Sequence, residues 1–426
     1  MEHHNPLGGR VRRRLHDRGL TLCIFLILVV ALPLSGSSSP SADPKVSRAI
    51  AAYLLAPPAR EKTFLRKALK AIDGDLEVAT TALRSMPPLS QKKSGTYHGQ
   101  PFESGGQQWE YSIDLPENYD GKRRLPVLVL PDHSAVGPEA GINFWKGKRG
   151  AEDYILFRPV IVKYQTDRSR FPAQPLLRDQ AIAAVMRDAL RHLRLHYAVD
   201  HDRFTMTGLS QAGYYTYYYA VSFPEEFAAI IPESAGGGAV DQGIRPLAAS
   251  LAALQTRILH TDGDQITPYR SAEGMRDAIE AAGGKVELIT YTAKDYPGQP
   301  PEKFHPGPHN LRLRNVLPWA KEQRRELPTG FTRVVRHPLQ QDAGQFLVEG
   351  SLKKPISVEV SAEEGKLQGK GARLVYLVPP EVILEGGELK IKRKTVTPKA
   401  DLQLMLRRFK AVPDPQRLAA AQVKIR

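Results

Sequence analysis

One cysteine, Cys23, occurs in 426 residues, and it falls inside an apolar leader. The remainder therefore has no disulfide, no thiolate metal site and no cysteine nucleophile. Metal-ligand spacing is missing as well. There is no HExxH, no paired CxxC and no Asp-rich calcium loop, so neither a metal nor another cofactor is expected. The glycines at 236–238 lack the spacing and the Lys-Ser/Thr pair of a phosphate loop. Charge of one sign is never concentrated. Sixty Lys and Arg face 45 Asp and Glu for a net +15, but the densest basic runs, 92–93 and 390–394, are short. This is a solvated basic surface, and no specific nucleic-acid partner is expected.

Long apolar runs are scarce too. The one that stands out, residues 19–34, follows five arginines (Arg10, Arg12, Arg13, Arg14 and Arg18) and precedes SGSSSPSADP. At 16 letters (GLTLCIFLILVVALPL) it is shorter than the ~20 residues that span a bilayer. Residues 1–42 thus read as a secretory signal peptide, with a mature N-terminus between about 36 and 43, or as an uncleaved membrane anchor. Either reading places the body of the protein outside the cytoplasm, secreted or periplasmic, with membrane anchoring left open.

The length suggests two or three units. Residues 43–95 carry apolar positions at helical spacing and are expected as a small helical hairpin. Residues 96–327 alternate apolar strand-like runs (125–130, 158–164, 204–207, 227–231, 257–259, 285–291) with amphipathic stretches (177–197, 211–223, 271–282, 310–325). Such alternation predicts right-handed βαβ units in a doubly wound, mostly parallel α/β sheet. Residues 328–426 change character, with short strand-like runs at 356–360, 374–378, 389–396 and 421–425 and a helix over 401–409. They are expected to form a small mixed, mostly β C-terminal domain.

The segment RFTMTGLSQAGYYTYYYAVSFPEEFAA, residues 203–229, is the most informative. A β-branched run is broken by GLSQAG and followed by an aromatic-rich helical stretch. A serine with small neighbours between strand and helix is the nucleophile elbow of α/β-hydrolases. Gly208 and Ala212 must let strand and helix backbones nearly touch around Ser210. The strict pattern would put glycine at 212, and here it comes one place later, at Gly213. At a helix N-terminus, free N–H groups favour the anion that develops on attack.

A serine hydroxyl needs a base, and the base needs a carboxylate to orient it. In α/β-hydrolases the chain order is Ser, acid, His. After the run 257–259, Asp264 falls in the loop HTDGDQITP, with Asp262 as a nearby competitor. His305, His309 and His337 follow. His309, immediately before the expected last helix, is preferred as the base over His305, because a helix start limits its wander. The oxyanion hole would take one backbone N–H from Gln211 and the other from Ser134 or Ala135. Tyr214, Tyr215 and Trp145 form either an aromatic platform for a phenolic or carbohydrate substrate or part of the core.

The order YSIDLPENYD, LPVLVL, DHDRFTMTGLSQAGYYTYYYAVSFPEEFAAIIPESAG, then ILHTDGD, resembles the polyhydroxybutyrate depolymerase/feruloyl-esterase branch of bacterial α/β-hydrolases over residues 111–325. The resemblance implies an α/β-hydrolase fold with Ser210 as nucleophile, Asp264 as acid and a late His as base. It departs at His133-Ser134, where the branch has His-Gly, at Ala212, and in lacking the disulfides common among secreted members. The expected activity is hydrolysis of carboxylic esters, small or polymeric, through an acyl-enzyme. A prolyl-oligopeptidase-like peptidase and a non-catalytic binding protein on the same scaffold are the alternatives.

Overall fold

A computed structural model describes residues 42–425 apart from 91, 301–303, 306–307, 327–330, 361–364, 369–372 and 392–393. The expected leader, with Cys23, lies outside the described residues. Among the described residues no helix is long and apolar enough to cross a membrane.

Three helices come first: α1 (Pro44–Leu54), α2 (Glu61–Ile72) and α3 (Leu76–Arg84). The expected two-helix hairpin is corrected here by the triplet Asp73-Gly74-Asp75. Asp73 takes a left-handed conformation (φ 55°) that ends α2. The carboxylate of Asp75 then accepts from the N–H groups of Glu77 and Val78 at 2.8 and 3.0 Å, starting α3. Val46, Ile50, Leu65 and Ile72 of these helices share one apolar core with Met405, Leu406 and Phe409 of the helix Leu402–Ala411. The two ends of the described chain are thereby packed together.

The central sheet has eight strands: β1 (Gly95–Ser104), β2 (Gln107–Leu115), β3 (Leu125–Val129), β4 (Ile155–Val160), β5 (Val199–Leu209), β6 (Ala229–Glu233), β7 (Gln255–Thr261) and β8 (Val286–Tyr291). Their order is β1-β2-β4-β3-β5-β6-β7-β8. Only β2 is reversed, running antiparallel to both β1 and β4, while the pairs from β4 through β8 are parallel. This is the α/β-hydrolase sheet. Period-2 alternation then splits each strand between two cores. Val127, Val129, Phe157, Ile230 and Ile258 point into one core, together with residues of α5 (Pro175–His196), α6 (Gln211–Ser222) and α7 (Tyr269–Ala281). Leu128, Leu130, Leu156, Ile231 and Leu259 point into the other, under α4 (Ala140–Trp145) and α8 (His309–Glu322). Helices on both faces explain why β3, β4 and β6 are buried along their whole length.

The C-terminal region is mostly β. Phe331–Val335, Ile356–Val360 and Gly365–Gln368 form one antiparallel sheet, and Phe346–Glu349, Arg373–Val378 and Ala421–Lys424 belong to a second. The run expected as one strand at 389–396 is instead a pair of strands with Leu389 opposite Val396. A buried ion network ties this region to the hydrolase sheet. Arg325 meets Asp414 at 2.5 Å and Asp202 at 2.8 Å, Arg417 meets Glu226 at 2.7 Å, and Arg194 also pairs with Glu226.

Candidate active site

The strand β5 delivers Ser210 to the mouth of the sheet, and the backbone there explains its small neighbours. A Cβ on Gly208 would lie 2.6 Å from the Ala212 carbonyl oxygen, so strand and helix do touch. A Cβ on Gly213 would lie 2.7 Å from the carbonyl oxygen of Glu233 and 2.8 Å from that of Gly208. The displaced glycine therefore serves a second close approach, to β6, which alanine at 212 leaves undisturbed. Ser210 sits at φ 59°, ψ −119°, outside the regions non-glycine residues favour. Such strain costs on the order of 1–3 kcal/mol and persists only where neighbours enforce it. Here Ser210 N–H donates to the Glu233 carbonyl at 2.8 Å, and Tyr214 N–H donates to the Ser210 carbonyl at 2.9 Å. The Ser210 side chain makes no capping hydrogen bond to α6. It lines a cavity of about 630 Å³.

The loop after β7 carries Asp264, which is 8% exposed. Its Oδ1 accepts from the N–H groups of Ile266 and Thr267 at 2.8 and 2.9 Å. Its Oδ2 lies 2.6 Å from Thr267 Oγ1 and 2.8 Å from His305 Nδ1. Burial alone would raise this carboxyl group, but the hydrogen bonds from His305 and Thr267 outweigh it and hold the group at about 2. Asp264 is thus an anion throughout the neutral range. Asp262, the competing carboxylate, is exposed.

Of the two late histidines, the sequence favours His309, and the structure describes the side chain of His305. His305 Nδ1 is joined to Asp264 Oδ2. The anchor expected from a helix start is supplied instead by Phe304. Its carbonyl accepts from Thr261 Oγ1 at 3.0 Å and from the Tyr296 hydroxyl at 2.9 Å. Its ring stacks on Tyr296 with centroids 4.4 Å apart and fills the space where a Cβ on Gly263 would be. His309 is the first residue of α8, and its side chain lies outside the described residues. The link back to the serine runs through Thr267, whose Oγ1 is 3.0 Å from the Ser234 carbonyl, next to the Glu233 that holds Ser210.

The loop after β3 is fixed by Asp132, whose buried carboxylate accepts from the N–H groups of Val162 and Lys163, both at 2.8 Å. It brings Ser134 and Gln211 together, though through other atoms than expected. Gln211 Oε1 accepts from Ser134 N–H at 2.9 Å and from its hydroxyl at 2.8 Å. The Ala135 N–H donates to His133 Nδ1 at 3.0 Å. Both candidate amides of this loop are therefore engaged, and the Ser134 amide becomes available only when the Gln211 side chain turns away.

Three residues of the site, His260, Glu233 and Arg336, escaped the sequence reading. His260 is fully buried behind Asp264, with Nε2 3.0 Å from the Thr267 carbonyl and 3.6 Å from Asp264 Oδ2. The motif HTDGD contained it, but nothing in the letters separated a buried imidazole from an exposed one. Glu233, also buried, accepts from Thr207 Oγ1 at 2.7 Å and from Arg312 of α8, tying the last helix to the elbow. Arg336 and His337, from the C-terminal region, line the cavity with Ser210. Trp145 belongs to the core under α4 and is absent from the cavity wall, whereas Tyr214 and Tyr215 line it and donate to Asp179 at 2.9 and 3.4 Å.

No family model matches the chain, and no curated protein matches it. Solved structures do. A thermostable esterase aligns at 22% identity and TM-score 0.42, over 54% of this chain and 63% of its own. The acylaminoacyl peptidase of Pyrococcus horikoshii aligns at 16% identity and TM-score 0.41, over 55% of this chain and 42% of its own. Est1E of Butyrivibrio proteoclasticus aligns at 12% identity and TM-score 0.40, over 53% and 98%. This chain thus spans less than two thirds of the length of the first two. The fold assignment rests on the strand order given above.

Proposed function

We propose that this protein is a serine hydrolase that cleaves carboxylic esters through an acyl-enzyme. Ser210 Oγ attacks the ester carbonyl, and His305 accepts its proton and returns it to the leaving alcohol. Asp264 holds the imidazole by Nδ1 and stabilises the imidazolium. Water then enters by the same base and releases the acid. The observation that carries this reading is the 2.8 Å contact between His305 and Asp264, whose partner Thr267 lines the same cavity as Ser210, a serine held at positive φ. The Gln211 N–H, in the first turn of α6, is one oxyanion donor, and Ser134 supplies the second once Gln211 turns away. The basic, apolar leader supports a site of action outside the cytoplasm, secreted or periplasmic. The test is a fluorophosphonate probe and a p-nitrophenyl ester assay on wild type and Ser210→Ala. Labelling confined to Ser210, with hydrolysis reduced by ~10⁴-fold or more in the variant, is expected. Labelling that persists in the variant refutes the assignment. A chromogenic dipeptide amide, run alongside, is expected to be the poorer substrate.

A further inference from the structure

The cavity in front of Ser210 is walled by α5, α6, the segment 236–247 and the arm Arg336-His337. Its polar wall is incompletely partnered. His337 is 4% exposed, and neither ring nitrogen has a hydrogen-bond partner. The Tyr218 hydroxyl, on a residue 5% exposed, is likewise unpartnered. The two rings lie nearly parallel, 16° apart with centroids at 6.4 Å. Beside them the Arg336 Nε is buried without a partner. Buried polar atoms in native folds are ordinarily satisfied, so a cluster of orphans in one cavity wall calls for an occupant.

The charges say which kind. Arg178, Asp179 and Arg336 are the charged residues lining the cavity. Arg178 and Asp179 offset each other, with Nε and Oδ1 3.6 Å apart, and Asp179 also accepts from Tyr214. Among the described residues no carboxylate is paired with Arg336, which leaves the cavity one positive charge in excess. The arm that bears it is fixed. Arg336 N–H donates to Gln340 Oε1 at 2.7 Å, and the fully buried Gln340 donates through Nε2 to the Val221 carbonyl of α6 at 3.2 Å. A guanidinium presented on a rigid arm, next to a phenol and an imidazole, matches the planar acceptor of a carboxylate.

We propose that this wall is a carboxylate-binding subsite, so that the preferred ester carries a free carboxylate received by Arg336, His337 and Tyr218. The inference rests on the serine-ester reading above and adds the substrate class. It also gives the C-terminal region a direct part in substrate choice.

Two matched pairs of esters test it. The p-nitrophenyl monoester of glutaric acid is compared with p-nitrophenyl pentanoate, and 3-acetoxybenzoate with phenyl acetate, so that the charge lies on the acyl or the alcohol side. In wild type, kcat/KM is expected to favour the charged member of at least one pair by about tenfold or more. In Arg336→Gln that ratio is expected to collapse to within about threefold, and in Arg336→Lys to fall between the two. Circular dichroism confirms the fold of each variant. No charged preference in either pair, or a preference that survives Arg336→Gln, overturns the subsite. If wild type cleaves none of the four esters, the ester reading fails. The subsite is then decided by calorimetric binding of glutarate to wild type and to Arg336→Gln. Binding lost only in the variant upholds it, and no binding to wild type overturns it.

Discussion

His305 Nδ1 lies 2.8 Å from Asp264 Oδ2, while His309, four residues later, opens α8. That contact leaves Nε2 of His305 as the nitrogen available to a reacting proton, which is the division of labour a general base requires. Paired alanine variants decide the matter. His305→Ala is expected to lose ~10³-fold or more of ester kcat/KM, and His309→Ala to stay within about threefold of wild type. The measurement is p-nitrophenyl ester turnover at neutral pH, with circular dichroism to confirm folding. The reverse pattern would restore His309 as the base.

Asp264 accepts from His305, Thr267 and two backbone N–H groups, a full complement for one carboxylate. Asp264→Asn keeps the volume but presents an amide where the imidazole N–H needs an acceptor, which favours the wrong tautomer. A loss on the order of 10⁴-fold in kcat with little change in KM is expected. The exposed Asp262→Asn is the control, with activity near wild type. Equal losses in the two variants would refute the assignment of the acid.

Gln211 has two relations to the site. Its backbone N–H follows the nucleophile, and its side chain occupies the Ser134 amide. Removing the side chain frees that amide without touching the backbone donor. Gln211→Ala is therefore expected to show kcat equal to wild type or higher by up to a few fold, since an oxyanion donor is worth ~10²–10³-fold when properly placed. Steady-state kinetics on a short-chain ester reads this directly, and a tenfold fall in kcat would mean that the side chain itself supports the transition state.

The sheet was legible because its strands are continuous apolar runs, such as LPVLV at β3, and because helices of period 3.6 alternate with them. The elbow was legible because Gly208 answers a backbone contact of 2.6 Å that no larger residue tolerates. The base was not. In the letters both His305 and His309 fall in one Pro/Gly-rich stretch, and the placing of His305 depends on Phe304 packing against Tyr296 and Gly263, long-range contacts with no local signature. The cavity wall from Arg336 and His337 was hidden for the same reason. They follow Ser210 by more than a hundred residues, and only the docking of the C-terminal region on α6 brings them back.

That docking depends on buried charge, which yields the last prediction. Glu226 is 2% exposed and pairs with both Arg194 and Arg417. Burial would raise its carboxyl group, but the two guanidinium groups outweigh burial and lower it to about 2. Its folded value is thus depressed below an unfolded value near 4.3. Its contribution is present in full above that value and is lost as pH falls toward 2. Glu226→Gln leaves Arg194 buried without its carboxylate, while Arg417 keeps Asp342 at 3.3 Å, so a loss of about 3 kcal/mol of stability at pH 7 is expected. Because wild type itself becomes protonated at low pH, the gap between the two proteins should narrow steadily from about pH 4.5 toward pH 2. Groups remote from Glu226 titrate alike in both proteins and cancel in the difference. Urea unfolding of wild type and Glu226→Gln across pH 2.5–7 measures it, and a gap that stays constant down to the acid end would show that Glu226 is not held as the paired anion.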